Sequence, residues 1–208
     1  YVGQATSLQD RNITQETANK YGVTTLSQNG MVSKHIYPYY NSHGKHVANK
    51  IRTLPKEFTA QGNFGESQLF GQNLFGAGQK YITITEGECD AMAVYELMQG
   101  KSSVVSIKRG ASSAVKDIRE SIEFVESFDN VVLCFDNDKA GIESARQVAR
   151  ILKPSKAKII NLPNGSGKKN KIAVLCEADK IDEAKNTGAD IVGSEDLLEK
   201  IAAGKFNF

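Results

Sequence analysis

The sequence predicts an α/β protein: a parallel sheet with helices on both faces, preceded by a small mixed α+β basic subdomain and followed by a partial α/β segment. From residue 81 onward, short apolar strands alternate with amphipathic helical segments, the order typical of a parallel sheet. Residues 1–80 are instead rich in Gly, Gln, Asn and Tyr, with turn signals such as Gln28-Asn29-Gly30. A polar, basic loop at 163–171 then interrupts the alternation. We therefore divide the chain into residues 1–80, 81–163 and 164–208.

The individual elements follow from periodicity and from breaker residues. Ile118, Ile122, Val125 and Phe128 share one face and predict a single helix. Residues 131–135 form a continuous apolar run, as in a strand buried on both faces. The predicted strands are 81–85, 104–107, 131–135, 157–161, 172–176 and 191–192, and the predicted helices are 88–98, 115–128, 139–152, 180–187 and 195–202.

Charge is distributed unevenly along the 208 residues. The chain carries 26 Lys and Arg against 24 Asp and Glu, a net charge of +2. Eight of those cations and only four of those acids lie in residues 1–80, so this part is at +4 and the remainder at −2. The overall balance excludes a polybasic nucleic-acid coat protein and an acidic tail protein, but the N-terminal part is suited to phosphate ligands.

Hydrophobicity and cysteine content indicate the compartment. No apolar run approaches the roughly 18 residues of a membrane helix, so no membrane partner is expected. The three cysteines, at 89, 134 and 176, are odd in number and widely spaced, which favours buried thiols over disulfides or a metal site. A reducing, cytoplasmic compartment follows. The first residue is Tyr1, with no signal-peptide pattern, and we expect a fragment.

Carboxylates follow two of the predicted strands. Glu86 and Asp90 come after the first strand, and Asp136 and Asp138 end the apolar one. Ligands gather at the carboxyl ends of strands in open α/β sheets, and hard oxygen donors suit Mg²⁺ or Mn²⁺. The chemistry implied is phosphoryl or nucleotidyl transfer. The alternative is that these acids only stabilise helix N-termini.

Two groups of cations could meet phosphates. Lys50 and Arg52 would share one face of a strand, with Lys56 close by, and an exposed edge strand is the alternative interpretation. Lys108 and Arg109 lie in a Gly/Ser loop after the second strand, where a merely solvated loop is the alternative.

Two other patterns carry less weight. His43 and His46 are spaced like half of a metal site, but no third ligand has suitable spacing. Residues 165–168 read Gly-Ser-Gly-Lys, yet Leu162 and Lys169 break the full phosphate-loop pattern. We expect neither to bind a ligand.

The acidic motifs resemble the TOPRIM domain shared by DnaG-type primases, topoisomerases and some nucleases. The motifs in their expected order are Glu86-Gly87-Glu88-Cys89-Asp90, Arg109-Gly110-Ala111-Ser112-Ser113 and Phe135-Asp136-Asn137-Asp138-Lys139-Ala140-Gly141. The resemblance is strongest to the primase part of bacteriophage helicase–primases and covers residues 1–163, including phrases at 11–17 and 69–75. It implies a TOPRIM parallel sheet after a basic subdomain.

The same resemblance implies roles and partners. Glu86 would be the general base or a metal-associated carboxylate, Asp136 and Asp138 would hold Mg²⁺ (or Mn²⁺), and Asp90 would support the site. The reaction would be synthesis of short RNA primers from ribonucleoside triphosphates on a single-stranded DNA template. A helicase domain or replisome proteins would be partners of the full-length protein, in a bacterial or phage-infected cell.

The last segment departs from that family. A later acidic phrase of the TOPRIM, similar to Lys-Asp-Ala-Asn, is missing after residue 162. Residues 160–208 instead resemble an internal piece of bacterial large-subunit ribosomal protein L1, through 162–168, 184–193 and 195–201. A join of two unrelated pieces and a diverged end of the TOPRIM fold are the two interpretations.

Two other functions remain open. One is another TOPRIM enzyme, of the nuclease or topoisomerase kind, although a topoisomerase needs a nucleophilic tyrosine in a further domain. The other is a non-catalytic nucleic-acid-binding module, which is favoured if the acidic site binds no metal or if residues 164–208 contact ribosomal RNA.

Overall fold

The computed structural model describes residues 3–160 and two further strands, at 173–175 and 191–193. The N-terminal part forms a four-stranded antiparallel sheet in the order β1-β2-β3-β4. Its elements are α1 (Gln15–Lys20), β1 (Thr24–Gln28), β2 (Met31–Tyr40), β3 (His46–Thr53) and β4 (Glu57–Gly62). Short 3₁₀ helices lie at 9–11, 64–66 and 72–74.

Local sequence explains how this sheet begins. Asn29 and Gly30 have positive φ values of 53° and 78° and connect β1 to β2. Two consecutive residues of positive φ suit a tight hairpin, which confirms the predicted turn. The Thr14 side chain accepts a hydrogen bond from the Thr17 amide and caps α1.

The second part forms a parallel four-stranded sheet in the order β6-β5-β7-β8. Its strands are β5 (Tyr81–Thr85), β6 (Ser103–Ser106), β7 (Asn130–Cys134) and β8 (Ala157–Ile159). Its helices are α2 (Glu88–Leu97), α3 (Ala114–Glu120), α4 (Ile122–Glu126) and α5 (Lys139–Ile151), with a 3₁₀ turn at 111–113. The predicted fold class is confirmed.

One element prediction was wrong. The helix expected over 115–128 is two helices, because Ser121 leaves the helical conformation at φ −120° and ψ 21°. The apolar positions Ile118, Ile122 and Val125 still face the same core, so their spacing concealed the break.

Two hydrophobic clusters lie on opposite faces of the parallel sheet. One packs α3, α4 and α5 against Ile82, Ile84 and Leu133. The other joins the N-terminal sheet to α2, with Tyr37, Tyr39 and Met92 in one cluster. The members of this second cluster are Leu8, Ile13, Ala18, Tyr21, Val23, Tyr37, Tyr39, Ala48, Phe70, Ala91, Met92 and Val104. The two sheets are thus held together by a shared core.

The chain divides into two compact units, 1–166 and 167–208. In the second unit, β9 (Ala173–Leu175) and β10 (Ile191–Gly193) pair in parallel. The helices predicted at 180–187 and 195–202, the loop at 165–168 and Cys176 lie outside the described residues. Across the described part of the chain, no helix is both long and apolar enough to cross a membrane.

Candidate metal and nucleotide site

Three of the predicted carboxylates lie around the ends of two adjacent strands. Glu86 directly follows β5, and Asp136 comes two residues after β7. Thr85 pairs with Cys134, so both strands end at the same edge of the sheet. Asp90 lies in the first turn of α2, just beyond β5. The parallel register therefore brings together residues that are about 50 positions apart in the chain.

Electrostatics shows that these acids influence one another. The pKa of Asp90 is raised to about 6, first by burial and then by the negative charge of Asp136, with a smaller contribution from Glu86. The charge of Arg11 partly offsets this rise. Burial also raises the pKa of the Cys134 thiol, and Asp90 and Asp136 raise it further. A cation placed among these acids would relieve their repulsion.

Asp138 and Gly141 shape the start of α5. The Asp138 carboxylate accepts a hydrogen bond from the Gly141 amide at 2.8 Å and caps the helix. A Cβ on residue 141 would lie 2.2 Å from the carbonyl oxygen of Asp136. Only glycine allows this close approach of the helix to the strand end. Asp138 is exposed beside Asp136 and also performs the helix-capping role that we gave as the alternative.

Lys50 links the basic sheet to the acidic edge. Its Nζ is 2.7 Å from Oε1 of Glu88 and donates to the Lys108 carbonyl oxygen at 3.0 Å. The Tyr39 hydroxyl donates to the same Glu88 oxygen at 2.6 Å. Glu88 belongs to the quoted acidic motif, but its role was missed because its partners come from β2 and β3.

Arg52 shares a face of β3 with Lys50, as predicted, but it is buried. Its guanidinium donates to the Pro55 carbonyl oxygen at 2.7 Å and lies 4.0 Å from Asp10. Lys56 is exposed in the turn between β3 and β4. Of the three cations predicted here, Lys56 is the most accessible to a phosphate.

Lys108, predicted to meet phosphates or else to lie in a solvated loop, is buried instead. Lys108 is fully buried, and its Nζ donates to the Ser67 carbonyl oxygen at 2.7 Å and to Glu120 at 2.6 Å. This arrangement leaves its ammonium no access to a phosphate in solvent. Arg109 is bound through Asp117, whose Oδ1 accepts from Nη2 at 2.8 Å, but its side chain is still 34% exposed. Asp117, fully buried, also accepts from the backbone amides of residues 108 and 109 and was missed from sequence.

His43 and His46 are both exposed, whereas Cys89 and Cys134 are at least partly buried. His46 contacts Asn49 at 2.8 Å, and His43 is exposed. Cys89 is half-buried, 3.2 Å from the Tyr37 hydroxyl, and its burial raises the pKa of the thiol. Cys134 is buried.

The donor chemistry suits a divalent cation that is only partly held by protein. Within the described ranges, no group of three or more His, Cys, Asp or Glu side chains is arranged to hold a metal ion. The mutually repelling acids Asp90, Asp136 and Glu86 nevertheless offer hard oxygen donors at one edge. Mg²⁺ is commonly bound by one or two carboxylates together with substrate phosphates, and these residues fit that mode.

Two family models match the first part of the chain. "Bacteriophage T7 DNA helicase/primase, N-terminal a+b fold" matches residues 3–62, and "Toprim-like" matches residues 83–171. The DNA helicase/primase of Enterobacteria phage T3 is 33% identical over 161 residues, 77% of this chain and 28% of that protein. A solved structure of bacteriophage T7 lagging-strand DNA polymerase with primase domains of two gp4 subunits, bound to an RNA/DNA hybrid and dTTP, contains a chain 33% identical to this one. The match covers 77% of this chain and 81% of that chain, with a TM-score of 0.70.

The end of the chain matches a different family. "Ribosomal protein L1p/L10e family" matches residues 142–208. The large ribosomal subunit protein uL1 of Pelagibacter ubique is 58% identical over 50 residues, 24% of this chain and 22% of that protein. The chain therefore spans less than a third of either relative. The C-terminal segment of the chain matches ribosomal protein L1, whereas its N-terminal and Toprim parts belong to the family of T7-type phage primases and are homologous to the primase RNA polymerase domain.

Proposed function

We propose that this chain carries the catalytic core of a metal-dependent primase, which joins ribonucleoside triphosphates into short RNA primers on single-stranded DNA. One observation carries the proposal: the basic sheet and the acidic strand ends meet at the 2.7 Å contact between Lys50 and Glu88. A site that joins nucleotides needs both cations for phosphates and carboxylates for a metal ion. Membership of the T7-type primase family supports the same chemistry.

Each predicted residue has a proposed task. Asp136, Asp138 and Glu86 would hold Mg²⁺ (or Mn²⁺), which when bound neutralises charge on the transferring phosphate and makes the attacking hydroxyl more acidic. Glu86 would also act as the general base that accepts a proton, and Asp90 would support the acidic edge. Lys50, Lys56 and Arg109 would meet phosphates. Arg52 would orient this surface from its buried position, and we assign no phosphate contact to the buried Lys108.

The relatives support a proposal for the partners and the compartment. The T3 relative is a helicase/primase, and the T7 structure contains a polymerase together with an RNA/DNA hybrid. We propose single-stranded DNA and ribonucleoside triphosphates as ligands. A helicase part or replisome proteins would be partners of the full-length protein, in the cytoplasm of a bacterial or phage-infected cell.

Primer synthesis provides the test. The full chain is incubated with a single-stranded template, ribonucleoside triphosphates and Mg²⁺ or Mn²⁺, and dinucleotide products are measured. Asp136→Asn should abolish the product. Asp129→Asn should not, because this exposed acid lies at the other end of β7. Product of equal yield from both variants would refute the role of Asp136.

Metal binding is tested without turnover. Mn²⁺ is titrated into the wild type and into the Asp136→Asn/Asp138→Asn double variant. Asparagine still caps helices, so α5 should remain formed while its negative charge is removed. We expect clearly weaker Mn²⁺ binding in the variant, and equal affinity would contradict the metal assignment.

A non-catalytic nucleic-acid-binding module is the second candidate. Within the part of the chain that the structure describes, no group of three or more ligand side chains could hold a metal ion, which favours this function. It predicts salt-sensitive DNA binding that Glu86→Ala and Asp136→Ala leave unchanged, with no product under any metal. Another TOPRIM-type enzyme, such as a nuclease, would instead cleave DNA in a metal-dependent manner.

A further inference from the structure

The last strand of the N-terminal sheet is exposed along its whole length. β4 is the last strand in the order β1-β2-β3-β4, and all six of its residues, Glu57–Gly62, are exposed. At about 3.4 Å per residue, the strand presents an open edge roughly 20 Å long. An exposed strand of this length is large enough to contact several units of a polymer rather than a single small molecule.

Phe58 lies on this strand with cations next to its ring. It pairs with Arg52 on β3, so the side chains of Phe58 and Arg52 lie on the same face of the sheet. Lys50, two residues before Arg52 on β3, lies on that face as well. Lys50 Nζ is 5.4 Å and Arg52 Cζ is 6.0 Å from the ring centroid. The ring nevertheless remains 49% exposed. An exposed aromatic ring in this position has cations on one side and solvent on the other.

The other residues on this face of β4 are small. Ala60 pairs with Lys50, and Gly62 pairs with Ala48. Gly62 has φ +84°, and a Cβ there would lie 2.4 Å from the Val47 carbonyl oxygen, so no larger side chain fits. The face therefore consists of one aromatic ring followed by two small residues.

The same face leads to the acidic edge of the parallel sheet. Lys50, beside the ring, is the residue whose ammonium contacts Glu88 of α2. Phe58 is thus connected to Glu88 through Lys50, and Lys56, two residues before it, is exposed in the preceding turn.

We propose that Phe58 is a stacking platform for a base of the single-stranded DNA template, with Lys56 at the neighbouring phosphates. The proposal deepens the proposed function, on which it rests. Single strands bind to proteins through aromatic rings beside cationic grooves, because every base has a free π-face and every phosphate a negative charge. A DNA duplex would not stack on the Phe58 ring in this way, since its bases already stack on one another. An apolar protein partner would have to remove the exposed Lys56 ammonium from water, which is costly.

Tyr81 provides a matched control for Phe58. It is 48% exposed, and Lys80 Nζ lies 5.6 Å from its ring centroid, so the same pair of chemical groups occurs there. Tyr81 begins β5, whereas the candidate site lies beyond the carboxyl end of that strand. A ring next to a cation is therefore available at a place where the proposal expects no base.

The absence of tryptophan makes a direct measurement possible. The chain contains no Trp, so Phe58→Trp and Tyr81→Trp each place a single fluorophore. The full-length variants are titrated without metal, using oligo(dT), an abasic oligonucleotide of equal length, and a ribonucleoside triphosphate alone. We expect oligo(dT) to quench Trp at 58 strongly and Trp at 81 hardly at all. The abasic strand and the triphosphate should quench neither.

Binding of the Leu variants completes the test. Phe58→Leu keeps an apolar side chain but removes the π-face, and it should weaken oligo(dT) binding by about 5- to 150-fold, the range for loss of one stacked base. Tyr81→Leu should change it less than twofold. Thermal melts of both variants establish that they fold.

The outcomes separate this inference from the proposed function. Quenching at 58 with no primer synthesis would support the stacking platform while refuting the primase activity. Equal quenching by the abasic strand, equal effects at 58 and 81, or quenching by the triphosphate alone would each overturn the template platform. Unchanged oligo(dT) affinity in a folded Phe58→Leu variant would overturn it as well.

Discussion

Lys50 of β3 and Glu88 of α2 form an ion pair, with 2.7 Å between Nζ and Oε1, that connects the antiparallel sheet to the parallel one. The two side chains are only 19% and 6% exposed. The Tyr39 hydroxyl binds the same carboxylate oxygen, and Lys50 also donates to a backbone carbonyl of residue 108. Both charges are therefore compensated within the fold, and the contact fixes the position of a cation beside the acidic edge.

Loss of this ion pair should destabilise the fold. Glu88→Gln keeps the shape but leaves the Lys50 ammonium buried without its counter-charge, which we expect to cost about 2–4 kcal/mol of unfolding free energy. Urea denaturation measures the loss. Glu66→Gln is the control, because Glu66 is exposed and bonded only locally to Asn63. A cost below about 0.5 kcal/mol for Glu88→Gln, the usual range for surface substitutions, would contradict the structural role of the pair.

Salt dependence of DNA binding should separate the exposed lysine from the buried one. Lys56→Met removes an exposed cation, so the slope of log Kd against log salt should fall by about one. Lys108→Met should leave this slope unchanged, since the Lys108 ammonium is fully buried against Ser67 and Glu120. Affinity is measured by fluorescence anisotropy at several salt concentrations. An equal change of slope in both variants would show that Lys108 reaches the DNA.

Replacing Asp90 with the uncharged asparagine should raise the unfolding free energy by an amount that depends on pH. Its pKa is about 6 in the folded protein, above the unfolded value of about 3.9, so its ionised form is disfavoured by folding. The cost is therefore present above pH 6 and disappears as the pH falls below the unfolded pKa. In metal-free buffer, Asp90→Asn should stabilise the protein by about 2–3 kcal/mol at pH 8 but only by about 0.5 kcal/mol at pH 4.

Asp129→Asn is the control for this pH series, because Asp129 is exposed. Chemical denaturation at each pH gives the free energies. A gain for Asp90→Asn that is the same at both pH values would show that the effect does not come from the ionisation of Asp90.

Gly141→Ala should disturb the acidic edge through the backbone. The new Cβ would lie 2.2 Å from the Asp136 carbonyl oxygen, so either the strand end or the start of α5 must shift. We expect a loss of about 1–3 kcal/mol, typical of overpacking, together with weaker Mn²⁺ binding. Gly76→Ala is the control, because the nearest atom to its Cβ would be a side-chain nitrogen of Gln79 at 3.8 Å. Mn²⁺ affinity and unfolding free energy that both match the wild type would contradict this account.

Local patterns predicted most of the fold. The tight turn at Asn29 and Gly30, the apolar strand before Asp136 and the end of α5 before Pro154 all depend on neighbouring residues, and the structure confirms them. The break at Ser121 was not predictable, because the apolar spacing continues through it.

The site was predictable only in part, for a similar reason. The acidic residues stand in short motifs, and the parallel register brings their strand ends together. The burial of Lys108 depends on the carbonyl group of Ser67, 41 residues away, and the partners of Glu88 come from strands 38 and 49 residues away. No short-range pattern encodes such contacts, so the sequence suggested a phosphate contact or a solvated loop at Lys108 and not a buried ammonium.

The core shared by the two sheets also limits where this gene can recombine. A breakpoint between β4 and β5 would separate Tyr37 and Tyr39 from Met92 and expose the apolar surfaces of both halves. Among the described residues, every member of both hydrophobic clusters lies before residue 161, so a breakpoint after Ile160 would keep these members together. The match to ribosomal protein L1 begins at residue 142, inside α5, and overlaps the Toprim match as far as residue 171, so the matches alone do not mark a breakpoint. The antiparallel and parallel sheets are thus expected to be inherited together.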